Sequence, residues 1–292
     1  MGSFHPESPA RLNAINDHLI AQGLDGYFAY HEAPLATLEQ LLRVHPPAHL
    51  DRLKRSSPEH GIVHLDPDTA MNPHTWRAAQ RSAGAGVLAV DLVMSDAVEN
   101  AFCAIRPPGH HAERANAMGF CFINNIAVAA KHAIAAHGLK RVAIIDFDVH
   151  HGNGTENIFA GDEQVLMVSI FQHPFYPYSG ADNPAANMIN VPLPAGSDGE
   201  DFRGAVNDVW MPALRKFDPE MIFISAGFDA HYEDDMGSLK LLEKDYAWVT
   251  ELLVNFAKTT AKGRIVSMLE GGYVMSALGR SVGVHLRALA AI

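Results

Sequence analysis

Four short apolar runs, separated by segments long enough to form helices, each stop on groups that are costly to bury. The third reads Arg141-Val-Ala-Ile-Ile-Asp-Phe-Asp-Val-His-His-Gly-Asn-Gly154. An Ile- and Val-rich run of this length is what a buried parallel strand looks like. Side chains alternate along a strand, so Asp146, Asp148 and His150 face one side where it stops. Two neighbouring carboxylates in such a place are strongly destabilising unless a cation neutralises them. A pair of capping aspartates before a Gly turn would explain one acid, but not the whole Asp-x-Asp-x-His-His-Gly run.

The other three runs end in the same manner. After residues 101–105 comes Arg106-Pro-Pro-Gly-His-His111; after 221–225 comes Ala226-Gly-Phe-Asp-Ala-His231; after 265–269 comes Glu270-Gly-Gly-Tyr273. Between and around them lie helical patterns near 124–137, 155–159, 200–217 and 243–258, a further strand at 165–170, and a terminal helix. Strands alternating with helices predict an α/β chain of three layers, a mostly parallel sheet with helices on both faces. Open sheets of this kind carry ligands outside the carboxyl ends of their strands, so four loaded ends in one position predict one shared cleft.

The N-terminal stretch is helical in pattern from residue 9 to about 53, with a short strand expected at 27–30. Residues 56–74, rich in His, Pro and Asp, read as a long loop, followed by an Ala- and Gly-rich helix at 76–93. No repeat or linker divides the chain, and 1–292 is expected to be a single catalytic domain.

A formal net charge of −11 argues against binding nucleic acid through its phosphates, which needs clustered Lys and Arg. The two cysteines, Cys103 and Cys121, are too few for a disulfide scaffold and fit buried thiols in a reducing compartment, although the sequence allows one bridge. With no secretory signal and no apolar run of the roughly eighteen residues a membrane span needs, the chain reads as cytoplasmic, with no membrane partner. Self-association is left open.

Asp148 and His150 offer one oxygen and one nitrogen ligand, and Asp229 is the best third. Three protein ligands with an open position is the arrangement of catalytic zinc, although iron and cobalt suit the same donors. Such an ion polarises a carbonyl and acidifies water. His110 and His111 follow a rigid Pro-Pro-Gly turn, and an imidazole there can take a proton and return it to a leaving amine. Asp146 and Asn153 are the natural partners to orient the two rings. Tyr273, after two glycines, can donate to a developing oxyanion.

In order and spacing, Arg106-Pro-Pro-Gly-His-His111, Gly119-Phe-Cys-Phe-Ile-Asn-Asn125, the Asp146 to Thr155 run, Ser225-Ala-Gly-Phe-Asp229 and Glu270-Gly-Gly-Tyr273 resemble the histone deacetylase family of the arginase/deacetylase fold. The likeness is to its class II-like bacterial amidohydrolases and acetylpolyamine amidohydrolases, and runs from His5-Pro-Glu nearly to the C-terminus. It implies zinc on Asp148, His150 and Asp229, His111 as general base and acid, His110 with Asp146 as an electrostatic partner, and Tyr273 as oxyanion donor. It also implies potassium beside the zinc, held by Asp146, Ser169 and backbone oxygens of Asp148, His150 and Ile170. Gly119, Phe120 and Tyr176 resemble the walls of a narrow tunnel for an acetylated amine. Asn153 stands where some relatives have Asp. Met236 stands where polyamine-selective relatives place an acid, which leans away from a cationic polyamine, against the adjacent Glu233, Asp234 and Asp235.

The expected activity is therefore zinc-dependent removal of acetyl or a similar short acyl group from an amine such as acetyl-lysine. The alternative within the fold is acetylpolyamine hydrolysis. An arginase-type ureohydrolase needs two adjacent metals, and a non-catalytic acyl-group binder has no use for a proton shuttle.

Overall fold

The computed structural model describes residues 1–2 and 5–292. In chain order the helices are α1 (Ala10–Ala21), α2 (Leu38–Leu42), α3 (Pro47–Ser56), α4 (Thr75–Met94), α5 (Asn125–His137), α6 (Asn153–Phe159), α7 (Gly199–Ala205), α8 (Met211–Phe217), α9 (Glu243–Thr260) and α10 (Met275–Ala290). The strands are β1 (Val63–His64), β2 (Ala70–Met71), β3 (Asn100–Cys103), β4 (Val142–Asp146), β5 (Val165–Gln172), β6 (Met188–Leu193), β7 (Met221–Ala226) and β8 (Ile265–Leu269). Six strands form one wholly parallel sheet in the order β3-β8-β7-β4-β5-β6.

Parallel strands need long crossovers, and here helices supply them. One group, α4 with α5, packs on β3, β7 and β8; a second, α1 with α9 and α10, closes the other layer. The central strands are buried along their whole length, which is why they read as unbroken apolar runs. The Ala- and Gly-rich face of α4 permits close approach: a Cβ on Gly86 would run into Met268 of β8 and Ala129 of α5. α5 starts where the Asn124 side chain accepts from Ala127 N–H at 3.0 Å, and it ends on left-handed Gly138.

The register levels the strand ends. Asp146 pairs with Ser225 and Ser169, Ser225 with Met268, and Met268 with Cys103, so the loaded segments all leave the sheet at one height.

Several local expectations are corrected. Residues 27–30 form no strand; Asp25–Tyr27 is a 3-10 turn, and Gly23 before it and Gly26 within it disfavour extension. The long loop holds a two-residue antiparallel pair, β1 with β2. β6 carries no strand signal in the sequence because it is half-exposed at the sheet edge and its apolar residues are broken by Asn190 and Pro192. The 200–217 helix is interrupted by a π turn at Val206–Trp210. No helix is long and apolar enough to cross a membrane among the described residues. Both cysteines are free and buried, so the allowed bridge is not made.

Candidate active site

Beyond β4 the chain turns so that Asp148 and His150 meet Asp229, which follows β7. One ligand atom from each lies within 4.8 Å of the others, and all three residues are buried. Backbone amides hold the carboxylates: Gly271 N–H donates to Asp148 Oδ2 at 2.9 Å, His150 N–H to Asp148 Oδ1 at 2.9 Å, and Val149 N–H to Asp229 Oδ1 at 3.0 Å. His150 Nδ1 sits 3.0 Å from Asp148 Oδ1 and 3.3 Å from Asp229 Oδ2. That last oxygen is buried with no hydrogen-bond partner, as a ligand atom should be.

Burial raises the Asp229 carboxyl above its ordinary range, and the neighbouring Asp148 charge raises it further. For His150, burial works to lower the pKa but the two carboxylates win and push it up to about 10. Two buried carboxylates and an imidazole nitrogen facing one another fit a divalent cation.

Glycines make room for this geometry. A Cβ on Gly227 would strike the Asp148 carboxylate, and one on Gly271 would strike both Asp229 Oδ2 and Asp148 Oδ2. Gly271→Ala is therefore expected to weaken the binding of a divalent cation at these three donors by about ten- to a hundredfold without replacing any of them; competition with a metal-indicator dye measures it, and unchanged affinity would show that the glycine does not shape the cradle.

The tandem histidines are placed from below. Glu270 Oε2 accepts from Gly109 N–H at 2.7 Å and His110 N–H at 3.1 Å, while Arg106 grips Glu7 through Nε and Nη2 at 2.8 and 2.6 Å. His110 Nδ1 lies 3.0 Å from Asp146 Oδ2 and His111 Nδ1 lies 2.7 Å from Asn153 Oδ1. Though their ring centroids are 4.1 Å apart, the two titrate in opposite directions. Burial opposes charge on both; for His110 the carboxylates of Asp148 and Asp146 override it and raise the pKa well above 6.5. For His111 burial prevails, reinforced by the His110 and His150 charges, and the ring stays neutral.

A cavity of about 220 Å³ opens onto these groups, and Gly119, Phe120, Tyr176, Met236 and Tyr273 all line it. Phe120 is fixed by its N–H donating to Thr69 Oγ1 at 3.1 Å and lies edge-on to Tyr273, centroids 5.9 Å apart. Burial and nearby carboxylates push the Tyr273 phenol up, keeping it a donor. Ser169 and Ile170 do not line the cavity; they lie on β5, and Ser169 pairs with Asp146 and donates to Asn190 Oδ1 at 3.2 Å.

Sequence reasoning missed four participants. Arg11 donates from Nε to Gly272 O at 2.7 Å with its guanidinium carbon 4.9 Å from the Tyr273 ring centroid; Asp234 Oδ2 accepts from Tyr273 N–H at 2.6 Å. Phe175 stacks on His150 with centroids 5.5 Å apart, and Asp68 lines the mouth. An arginine in the first turn of α1, at i, i+4 and i+8 spacing with the apolar Ile15 and Leu19, was the one available signal.

Among the described residues one other group could hold a metal, Asp91 with His132 and His137. Asp91 Oδ1 lies 2.8 Å from His132 Nε2 and 2.7 Å from His137 Nε2. Arg43 Nη1, which can only donate, sits 3.0 Å from His132 Nδ1, so the ring proton is on Nε2 and is given to Asp91. The lone pair a metal would need is taken, and the cluster is a hydrogen-bonded tie between α4 and α5.

The sequence pattern of the histone deacetylase domain matches residues 5–289. The histone deacetylase-like amidohydrolase of Pseudomonas aeruginosa is 38% identical over 276 residues, covering 92% of this chain and 72% of that protein. The polyamine deacetylase HDAC10 of Homo sapiens is 36% identical over 301 residues, covering 97% of this chain and 44% of that protein. A crystal structure of the HDA15 HD domain aligns with a TM-score of 0.93 at 35% identity, covering 100% of this chain and 84% of that one. By its sequence across nearly its whole length and by its arginase/deacetylase-like sheet, the chain belongs to the histone deacetylase family of hydrolytic deacetylases.

Proposed function

We propose that this single domain hydrolyses the amide of an acetylated, or similarly short-acylated, primary amine such as the lysine side chain, and that Asp148, His150 and Asp229 hold the zinc on which the family generally depends. The observation that carries the reading is the tandem pair, one imidazole set against the Asp146 carboxylate and its neighbour against the Asn153 amide, at the floor of an apolar-walled cavity beside three metal donors. When bound, zinc supplies Lewis acidity that polarises the acyl carbonyl and acidifies water. His111 carries its proton on Nδ1 toward Asn153, so Nε2 is free to take a proton from the attacking water and pass it to the departing amine. His110, held as a cation by Asp146, stabilises negative charge that grows in the reaction. Tyr273 donates to the oxyanion, and Phe120 and Tyr176 exclude water along the alkyl stem. Potassium at Asp146, Ser169 and the neighbouring carbonyls of Asp148, His150 and Ile170 would tune the zinc site through Asp148; the register of β4 with β5 supports that placement.

The test is release of acetate from a fluorogenic acetyl-lysine amide by zinc-loaded protein, abolished by chelator and restored by zinc. No turnover across several acyl lengths would favour the acyl-group binder. A second reading, acetylpolyamine hydrolysis, is favoured by Asp68 and Asp235 at the cavity mouth, which suit a cationic chain, while Met236 beside them does not. Comparing kcat/KM on an acetyl-lysine peptide and on acetylputrescine separates the two.

A neutral His111 also sets the pH dependence. Its depressed pKa means the base form persists below the ordinary histidine value of 6.5. The acid limb of kcat/KM is therefore expected below pH 6.5, with a plateau through neutrality; a pH-rate profile falling already above 6.5 would contradict the assignment.

A further inference from the structure

We propose that Glu113 is a positioning residue for the base: acting through Asn153, it decides which ring nitrogen of His111 carries the proton. The inference rests on the role proposed above for His111.

The two histidines are not supported alike. His110 faces a carboxylate, which can only accept, so its Nδ1 must carry hydrogen. His111 faces an amide, whose two ends differ in kind. With Asn153 Oδ1 toward the ring, Nδ1 is the donor and Nε2 is bare for the substrate side. With Nδ2 toward the ring, the tautomer reverses and the base is lost. Asparagine alone does not choose.

Glu113 makes the choice. Its Oε1 lies 3.0 Å from Asn153 Nδ2, and a carboxylate offers no hydrogen to an amide oxygen. Flipping the amide would set oxygen against oxygen there and donor against donor at the ring. Met118 Sδ, 3.3 Å from the same Nδ2, is a weaker acceptor that points the same way. A hydrogen bond to a charged acceptor is stronger than one between neutral groups, so Glu113 dominates.

The surroundings leave this rotation as the one free variable. Asn153 begins α6, and its N–H donates to His151 O at 2.8 Å. Thr155 N–H donates to His110 O at 3.1 Å, and a Cβ on Gly154 would strike Ala112 O, so the helix start is pressed onto the histidine segment itself. Glu113 is held in the same turn by its N–H donating to Asn116 O at 2.9 Å. His111, Asn153 and Glu113 thus form a relay in which an amide and a remote carboxylate do the orienting that a single aspartate does for His110.

The experiment uses the full chain, zinc-loaded and labelled with 15N-histidine, and reads the His111 tautomer by NMR beside steady-state kinetics. In Glu113→Leu, His111 is expected to become a mixture of tautomers, with kcat down about ten- to a hundredfold, KM within about twofold and zinc content unchanged. Adding Asn153→Asp to Glu113→Leu restores an oxygen-only partner and should return both the tautomer and most of kcat. Should Glu113→Leu fold poorly, Glu113→Gln is the substitute, since its amide can turn Nε2 toward Asn153 and so loses the fixed acceptor. A His111 that stays wholly protonated on Nδ1 without the carboxylate overturns the proposal whatever the rate does. A mixed tautomer with undiminished kcat supports the positioning by Glu113 and instead sinks the role of His111 as base.

Discussion

Asp229→Asn is expected to lose zinc-dependent deacetylation to background and, with it, the thermal stabilisation that zinc confers. A ligand that binds only the folded state stabilises it by about 4 kcal/mol at a thousandfold excess over its Kd. For a chain of this size that corresponds to a rise in Tm of roughly 7 °C. The variant should show almost none of it. Without zinc the order reverses. Asp229 is buried, its Oδ2 has no partner, and its carboxyl is raised by burial and by Asp148, so the metal-free wild type carries a charge it does not want. A group with a raised folded pKa contributes stability below its ordinary range that is lost as pH rises through the folded value. At neutral pH, therefore, metal-free Asp229→Asn should melt no lower than metal-free wild type. Differential scanning fluorimetry with chelator and with excess zinc gives all four values, and an equal zinc shift in both proteins would end the claim that Asp229 is a ligand.

Tyr273→Phe is expected to lower kcat by about a hundred- to a thousandfold while keeping the zinc shift intact, because only a donor to the oxyanion is removed. The ring itself should not move. Arg11 lies over it, Phe120 packs edge-on, and Asp234 anchors the backbone N–H of Tyr273 and of Val274. Single-turnover rates with matched zinc content separate this from a binding defect, and a fully active phenylalanine variant would take the phenol out of the chemistry.

The parts of the molecule legible in the sequence were those where one residue type has few alternatives. A buried strand ending Asp-x-Asp-x-His announces its environment and its candidate ligands, and the structure brings Asp148, His150 and Asp229 together and seats His110 on Asp146. β6 was illegible because a half-exposed edge strand containing Pro192 shares its composition with loops. Arg11 and Asp234 reach the site through contacts between residues far apart in the chain, and neither the spacing of an arginine in α1 nor that of one acid among three reveals which backbone atom it will meet. The Glu113 contact was hidden for a further reason. Asn153 was read only for the partner it gives His111, and the other end of an amide needs a neighbour that no spacing predicts.

The common height of the strand ends has a kinetic consequence. Asp148 and Asp229 sit beyond β4 and β7, neighbours in the sheet but separated in the chain by β5, β6 and the three helices α6, α7 and α8. Pairing of such distant segments is slow, and the ligand set does not exist before it is finished. Zinc held by the proposed ligands would therefore not be a nucleus around which the chain collects. It would be a latch on a finished sheet, lengthening the lifetime of the native state rather than raising the speed of reaching it.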